Sequence, residues 1–177
     1  MDLKQHIRTV LDHPIEGIKF RDITSLTENP KAFHKTLIDI TSECMDFTVD
    51  TIVAIESRGF VFGSAVARDL EVPFVMARKP GKLPNETVSK EFKLEYGETE
   101  LHLQKISPIQ GRVVVIDDLI ATGGTAKALA SLIAQCWKVP KENILILAVI
   151  DLPDLGGRAI IESEGFNVEA LIEFEGE

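Results

Sequence analysis

Two adjacent acids, Asp117 and Asp118, are followed closely by the run Ala121-Thr122-Gly123-Gly124-Thr125. The stretch Val113-Val114-Val115-Ile116 before them is continuously apolar, the pattern of a strand buried on both faces. Gly123-Gly124 lets the backbone turn tightly and approach a ligand closely. A helix opening after such a loop points its first amides outward with partial positive charge, which suits a phosphate. The Thr122 and Thr125 hydroxyls can add hydrogen bonds. Idle, the two carboxylates would repel each other; here they are placed to accept from ribose hydroxyls or to sit near a Mg²⁺-bound ligand. A plain turn and helix cap would explain the glycines and threonines alone, but not the paired acids behind a buried strand.

A second group is Glu56-Ser57-Arg58-Gly59, which follows the strand-like run Thr51–Ile55 and opens a helical stretch. The Arg58 fork carries a permanent charge and suits pyrophosphate, although a surface arginine beside a helix-start glycine has the same spelling. A third is Arg78-Lys79-Pro80-Gly81-Lys82-Leu83-Pro84, whose prolines and glycine make a loop. Its three cations would complement a diphosphate; on the residues alone a solvated basic loop is the plainer reading. GxxxxGK[ST] and GxGxxG are both missing, which disfavours a mononucleotide kinase or a dinucleotide dehydrogenase. His6, His13, His34 and His102 form no metal-ligand spacing, and no GxSxG or Cys-His arrangement suggests covalent catalysis.

The elements that must position these groups follow from periodicity. Leu3, Ile7, Val10 and Leu11 fit one face of a helix. Phe33, Leu37, Ile40 and Cys44 give a second, with Asn29-Pro30 as its start signal. Strands are expected at 51–55, 72–77, 113–116 and 144–150, and helices at 59–70 and 125–137. Between them, 87–105 alternates around Gly97-Glu98 as a hairpin does. Short apolar strands alternating with amphipathic helices imply an α/β fold with a mostly parallel central sheet flanked by helices. Ligands bind beyond the strand C-terminal ends of such sheets. That directs attention to the residues after Ile55, Ala77, Ile116 and Ile150.

The 177 residues fit a single domain, with 45% apolar and 27% charged residues. Lys and Arg number 19 against 28 Asp and Glu, a formal charge of −9. That balance opposes nucleic-acid and anionic-membrane partners. No signal-peptide block or membrane-length apolar run occurs, so a cytoplasmic protein is expected. Cys44 and Cys136 lack CxxC spacing, and both are expected to be buried thiols on helical stripes. The charge is uneven. Residues 162–177 carry six acids and no Lys or Arg, whereas 78–93 hold five basic residues and two acids. The acids are thus expected in a tail away from the chemistry.

VVVIDDLIATGGT (113–125) resembles the 5-phosphoribosyl-1-diphosphate (PRPP) signature of type I phosphoribosyltransferases. GIKFRDIT (17–24), ESRGFVFG (56–63), RKPGKLP (78–84) and LEYG (94–97) resemble the adenine phosphoribosyltransferase family, and their order spans nearly the whole chain. The resemblance implies one phosphoribosyltransferase domain over 1–177, with an N-terminal hood at 1–30 and a flexible loop and hairpin at 79–105. It implies transfer of the phosphoribosyl group from PRPP to adenine, giving AMP and pyrophosphate, with Mg²⁺ carried by PRPP rather than held directly by the protein. A homodimer is implied as well.

The same resemblance distributes roles. Residues 121–125 would cradle the 5′-phosphate, and Asp117 and Asp118 would hold the ribose 2′- and 3′-hydroxyls. Glu56, Ser57, Arg58, Lys79 and Lys82 would meet the pyrophosphate, at a turn where similar proteins aim amides inward through a strained peptide. Phe20 would stack on adenine while Lys19 and Arg21 offer backbone groups to its polar edge; a packed loop aromatic is the alternative reading of Phe20. Nothing local marks Glu95 or Tyr96 as catalytic, yet the family match makes Glu95 the proton-handling group, Tyr96 a positioning residue and Arg58 a third catalytic group. Two departures stand out. His13-Pro14-Ile15-Glu16-Gly17 replaces the more usual FPxPG, and Phe92 stands where tyrosine is common. A phosphoribosyltransferase for another base, and a regulator that binds PRPP without turnover, are the rival readings.

Overall fold

The computed structural model describes residues 1–94 and 97–176, leaving the side chains of 91–99 out. Glu95 and Tyr96 lie outside the described residues. In chain order the strands are β1 (Arg8–Leu11), β2 (Lys19–Asp22), β3 (Thr51–Ile55), β4 (Phe74–Ala77), β5 (Thr87–Leu94), β6 (Gly97–Gln104), β7 (Val113–Ile120), β8 (Ile144–Asp151) and β9 (Asn167–Glu173). The α-helices are α1 (Thr24–Glu28), α2 (Pro30–Asp46), α3 (Gly59–Leu70), α4 (Gly124–Cys136) and α5 (Gly157–Ser163).

A parallel sheet of order β4-β3-β7-β8-β9 forms the centre. Its middle strands are largely apolar because both faces are covered, the exceptions being Thr51, Asp117, Asp118 and Asp151 at or near strand ends. Val113 and Val115 of β7 pack with Leu129 and Ile133 of α4, while Val114 and Ile116 pack with Ile40 of α2 and Phe62 of α3. Each such fully buried Leu, Ile or Phe is worth roughly 1.5–3 kcal/mol. The chain steps from β3 outward to β4 and then returns to place β7 on the other side of β3. The resulting switch point opens a crevice at the C-terminal ends of β3 and β7.

The Asn29-Pro30 signal works as expected: the Asn29 side chain accepts from the Lys31 and Ala32 amides at 3.1 Å each, and Pro30 needs no donor there. The hairpin is also present, with β5 and β6 antiparallel from Thr87↔Gln104 to Leu94↔Gly97. Leu101 and Leu103 are buried, and an Arg78↔His102 bridge ties the hairpin to the end of β4.

Four expectations are corrected. Residues 3–11 are not one helix. Asp2 caps a 3₁₀ turn at Leu3–His6, and Arg8–Leu11 then pairs with β2 from Arg8↔Asp22 to Leu11↔Lys19. Leu3 and Ile7 are buried, but Val10 and Leu11 are exposed on this ribbon, so their helical spacing had no core to meet. Cys136 is exposed at the end of α4, whereas Cys44 is buried and burial pushes its thiol up to about 12. β7 runs through the two acids to Ile120, because Leu119 and Ile120 still pair with Ile150 and Asp151. Finally, the acidic C-terminal stretch is no loose tail. It supplies the last residues of α5 and all of β9, and its end packs on the hood: Lys4 Nζ and the Arg21 guanidinium lie 4.8 and 4.4 Å from the Phe174 ring centroid, and Lys19 Nζ donates to the Gly176 carbonyl.

Candidate active site

The crevice is built first by a glycine. A Cβ on Gly59 would sit 2.6 Å from the Ile116 carbonyl oxygen and 3.2 Å from Asp117 Cα, so only glycine lets α3 begin against β7. That contact sets Arg58, the residue before α3, beside the acids. Arg58 Nε is 2.9 Å from Asp118 Oδ2, an ion pair lacking the alignment of a hydrogen bond. The Asp118 side chain is 5% exposed and that of Arg58 46%. The Asp118 amide also donates to Asp117 Oδ1 at 2.9 Å. Burial, then the neighbouring Asp118 carboxylate, pushes the Asp117 carboxyl well up. Burial pushes Asp118 up too, opposed by Arg58.

One strand further out, Glu56 closes β3 and carries a cis peptide to Ser57. Its carboxylate accepts from Arg78 Nε and the Lys79 amide, each at 3.0 Å. Burial works to raise this carboxyl, but those two donors outweigh it and hold it below the usual range. Glu56 therefore fastens the start of the basic loop rather than facing outward. Arg78 is engaged in that contact; Lys79 and Lys82 remain exposed, with Gly81 at φ +75° turning the chain between Pro80 and Lys82.

Two cavities meet in this crevice. The larger, about 270 Å³, is walled by Phe20 and Arg58, with Ile18, Lys19 and Arg21 from the hood side and Leu152 and Leu155 opposite. The Arg58 guanidinium lies 5.5 Å from the Phe20 ring centroid, and His13 meets that ring edge-on at 5.0 Å. The Lys19 and Arg21 side chains turn elsewhere, Arg21 donating to Thr9 Oγ1 at 2.7 Å. The smaller cavity, about 110 Å³, is formed by Asp117 and by 119–126. Gly123 sits at φ +76°, and no side chain caps the N-terminus of α4. The uncapped amides and the helix dipole make this second cavity an anion cradle. Leu119 and Ala121 border both cavities.

Lys19, Phe20, Arg21 and Arg58 thus meet at one cavity, and Asp117 and 121–125 at its neighbour. Asp118, buried against Arg58, and Glu56, Ser57, Lys79 and Lys82 line neither. Leu119, Leu152 and Leu155 were missed in the sequence. The rule that ligands gather after strand ends does point past Ile150, but an apolar Leu152-Pro-Asp-Leu155 turn carries no chemistry of its own. Among the described residues no His, Cys, Asp and Glu group is arranged to hold a metal ion, and no helix is long and apolar enough to cross a membrane.

Comparison with known proteins agrees with this fold. A model of the phosphoribosyl transferase domain matches residues 22–146. Adenine phosphoribosyltransferase from Nitrosospira multiformis is 47% identical over 178 residues, covering 99% of either chain. That from Chlorobium phaeovibrioides is 45% identical over 181 residues, the full length of both. The crystal structure of adenine phosphoribosyltransferase from Thermoanaerobacter pseudethanolicus superposes with a TM-score of 0.87 at 40% identity, covering 98% of each chain. The Giardia lamblia enzyme complexed with 9-deazaadenine gives a TM-score of 0.89 at 32% identity, covering 99% of this chain and 97% of that one. A buried strand carrying paired acids near its end, an uncapped glycine-rich helix start and full-length similarity lead to one conclusion: this chain belongs to the adenine phosphoribosyltransferase family.

Proposed function

We propose that this chain transfers the 5-phosphoribosyl group from PRPP to adenine, releasing pyrophosphate and forming AMP. The observation that carries the reading is the pair of adjoining cavities. One is apolar and flanked by an aromatic ring, the other is an anion cradle, and Leu119 and Ala121 border both; Arg58 walls the first, Asp117 walls the second, and Asp118, buried and lining neither, pairs with Arg58. A nucleotide needs that arrangement: a flat base, a ribose with two hydroxyls and a terminal phosphate.

In this reading the amides and hydroxyls of 121–125 hold the 5′-phosphate. Asp117 and Asp118 accept from the ribose 2′- and 3′-hydroxyls, and bringing the hydroxyls to them replaces water lost on burial. The larger cavity takes adenine against Phe20, with Lys19 and Arg21 contributing backbone groups because their side chains are committed to the C-terminal segment and to Thr9. The bond from C1′ to the pyrophosphate oxygen breaks, the oxygen keeping the electron pair, and a bond from C1′ to adenine N9 forms. The ribose carries oxocarbenium-like charge in between. Arg58, Lys79 and Lys82 stabilise the departing anion, and Ser57 lies at the same turn. Glu56 helps indirectly by anchoring Lys79. Holding N9 in line with C1′ and excluding water does the rest. Glu95, assigned by resemblance, takes the proton that adenine N9 loses, and Tyr96 positions the base.

Mg²⁺ belongs to this reading as a partner of the substrate. The hard oxygens of Asp117 and Asp118 fit a cation that keeps waters and brings phosphate ligands with it. When bound, it supplies positive charge to the diphosphate. The single-domain division, with a hood at 1–30 and a mobile hairpin at 79–105, the homodimer and a cytoplasmic site of action rest on the family; light scattering in solution tests the dimer.

The test is product formation from PRPP with adenine, hypoxanthine, guanine, xanthine and orotate in parallel. Conversion of adenine alone, with one pyrophosphate released per AMP, is expected. Turnover of another base but not adenine overturns the base assignment, and tight PRPP binding without turnover favours a ligand-sensing regulator.

A further inference from the structure

The phosphate loop rests on a partner that lies outside the residues matched by the family model. α5 begins at Gly157, and a Cβ there would sit 2.2 Å from the Ala121 carbonyl oxygen, 2.7 Å from the Gly123 nitrogen and 2.9 Å from the Thr122 carbonyl carbon. The contact is reciprocal, since a Cβ on Gly123 would lie 2.6 Å from the Gly157 carbonyl oxygen. Both sides are backbone, so no flexible side chain can yield.

α5 is itself fixed. Ile161 is buried in the core. Arg158 donates to the Val168 carbonyl at 3.0 Å and to Glu169 at 3.1 Å on β9, and to Glu162 at 3.2 Å on its own helix. The Leu152 amide donates to the Ile120 carbonyl at 3.0 Å, holding the entry to this unit at the end of β7. The β8–α5–β9 unit is therefore a rigid floor under the loop. Loop amides address a phosphate only within a narrow geometry, and a 1 Å displacement is enough to misdirect them.

We propose that Gly157 is a positioning residue for the 5′-phosphate loop: its bare backbone is the surface against which 121–123 take their ligand-ready shape. The inference rests on the reading that residues 121–125 hold that phosphate. It predicts a defect confined to the phosphate end of the ligand, which a general loss of stability would not give.

The readout is the ratio of the adenosine to the AMP dissociation constant, measured by calorimetry, because the two ligands differ only in the phosphate. Gly157→Ala is expected to cut this ratio by roughly tenfold, about the loss of one charge-assisted hydrogen bond, while adenosine binding stays within about twofold of wild type. Gly156→Ala is the control. Gly156 sits at φ +69° with open space around its Cβ position, so alanine there strains the same turn without touching the loop. It should lower Tm and leave the ratio unchanged. If Gly157→Ala fails to fold, Ile161→Ala, which unseats α5, should cut the ratio by about threefold. An unchanged ratio in the folded Gly157 or Ile161 variant, or an equal loss in Gly156→Ala, overturns the proposal. A wild-type ratio near one overturns the phosphate-site reading itself, and the proposal with it.

Discussion

Arg58 Nε stands 2.9 Å from Asp118 Oδ2, joining the turn after β3 to the end of β7 across the switch point of the sheet. The same guanidinium reaches toward Phe20, so one side chain touches both Asp118 and the cavity beside Phe20. Arg58→Ala leaves Asp118 buried without its counter-charge. The expected cost is about 1–3 kcal/mol of stability, together with a drop in kcat/KM for PRPP of roughly 10²-fold from the lost charge on the leaving group. Arg58→Lys keeps the charge without the fork and should recover only part of the activity. Denaturant titration and steady-state kinetics on the two variants check this.

Asp117 carries the opposite kind of signature. Its carboxyl is raised in the folded chain, by burial first and Asp118 second. The sign follows: the charged form is disfavoured on folding, so the penalty is fully present above the folded value and vanishes below the unfolded value near 3.9. Asp117→Asn should therefore raise Tm of the ligand-free protein at neutral pH while weakening PRPP binding. The Tm gap to wild type should close as pH falls toward about 4. Thermal melts across pH measure it, and a gap that widens on acidification contradicts the assignment.

Glu56 acts on the basic loop from 22 residues away. Glu56→Gln keeps the shape and loses the charge that Arg78 and the Lys79 amide address. A stability loss of about 1–2 kcal/mol is expected, with a several-fold rise in KM for PRPP and little change in KM for adenine. The wild-type contribution runs with pH in the opposite sense to that of Asp117, present above the unfolded value and lost as pH falls through the lowered folded one.

Phe174 sits under the hood with Arg21 and Lys4 against its ring. Phe174→Ala should destabilise by about 3 kcal/mol and loosen β2. Because β2 carries Phe20 into the base cavity, KM for adenine should rise more than KM for PRPP. Equal effects on both would mean that the ring only stabilises the fold.

What the sequence made legible was local. Val113–Ile116 has the pattern of a buried strand, and Asp117-Asp118 with the glycine-rich loop 121–125 directed attention to the turn that follows it. What it hid depends on residues far apart in the chain. The spacing of Val10 and Leu11 fits a helix, and only pairing with β2 makes them an exposed ribbon. The contact of Gly123 with Gly157 joins two glycines 34 positions apart, each ordinary in its own segment. Residues 162–177 read as an acidic tail because charge dominates a composition count. Val168 and Ile172 are buried while Asn167, Glu169 and Glu173 stay exposed, the one-sided burial of an edge strand, and Phe174 is buried just beyond it. Leu152 and Leu155 line a cavity simply by position, with no chemical signal to find.

The central claim is that the two adjoining cavities hold one nucleotide, its base beside Phe20 and its phosphate on 121–125. A crystal structure with AMP bound tests it most directly. The account predicts the purine ring in the cavity between Phe20 and Leu119, the ribose hydroxyls at Asp117 and Asp118, and the phosphate on the amides that open α4. A phosphate seated on Lys79 and Lys82 instead, or a purine lying outside the hood cavity, would contradict it.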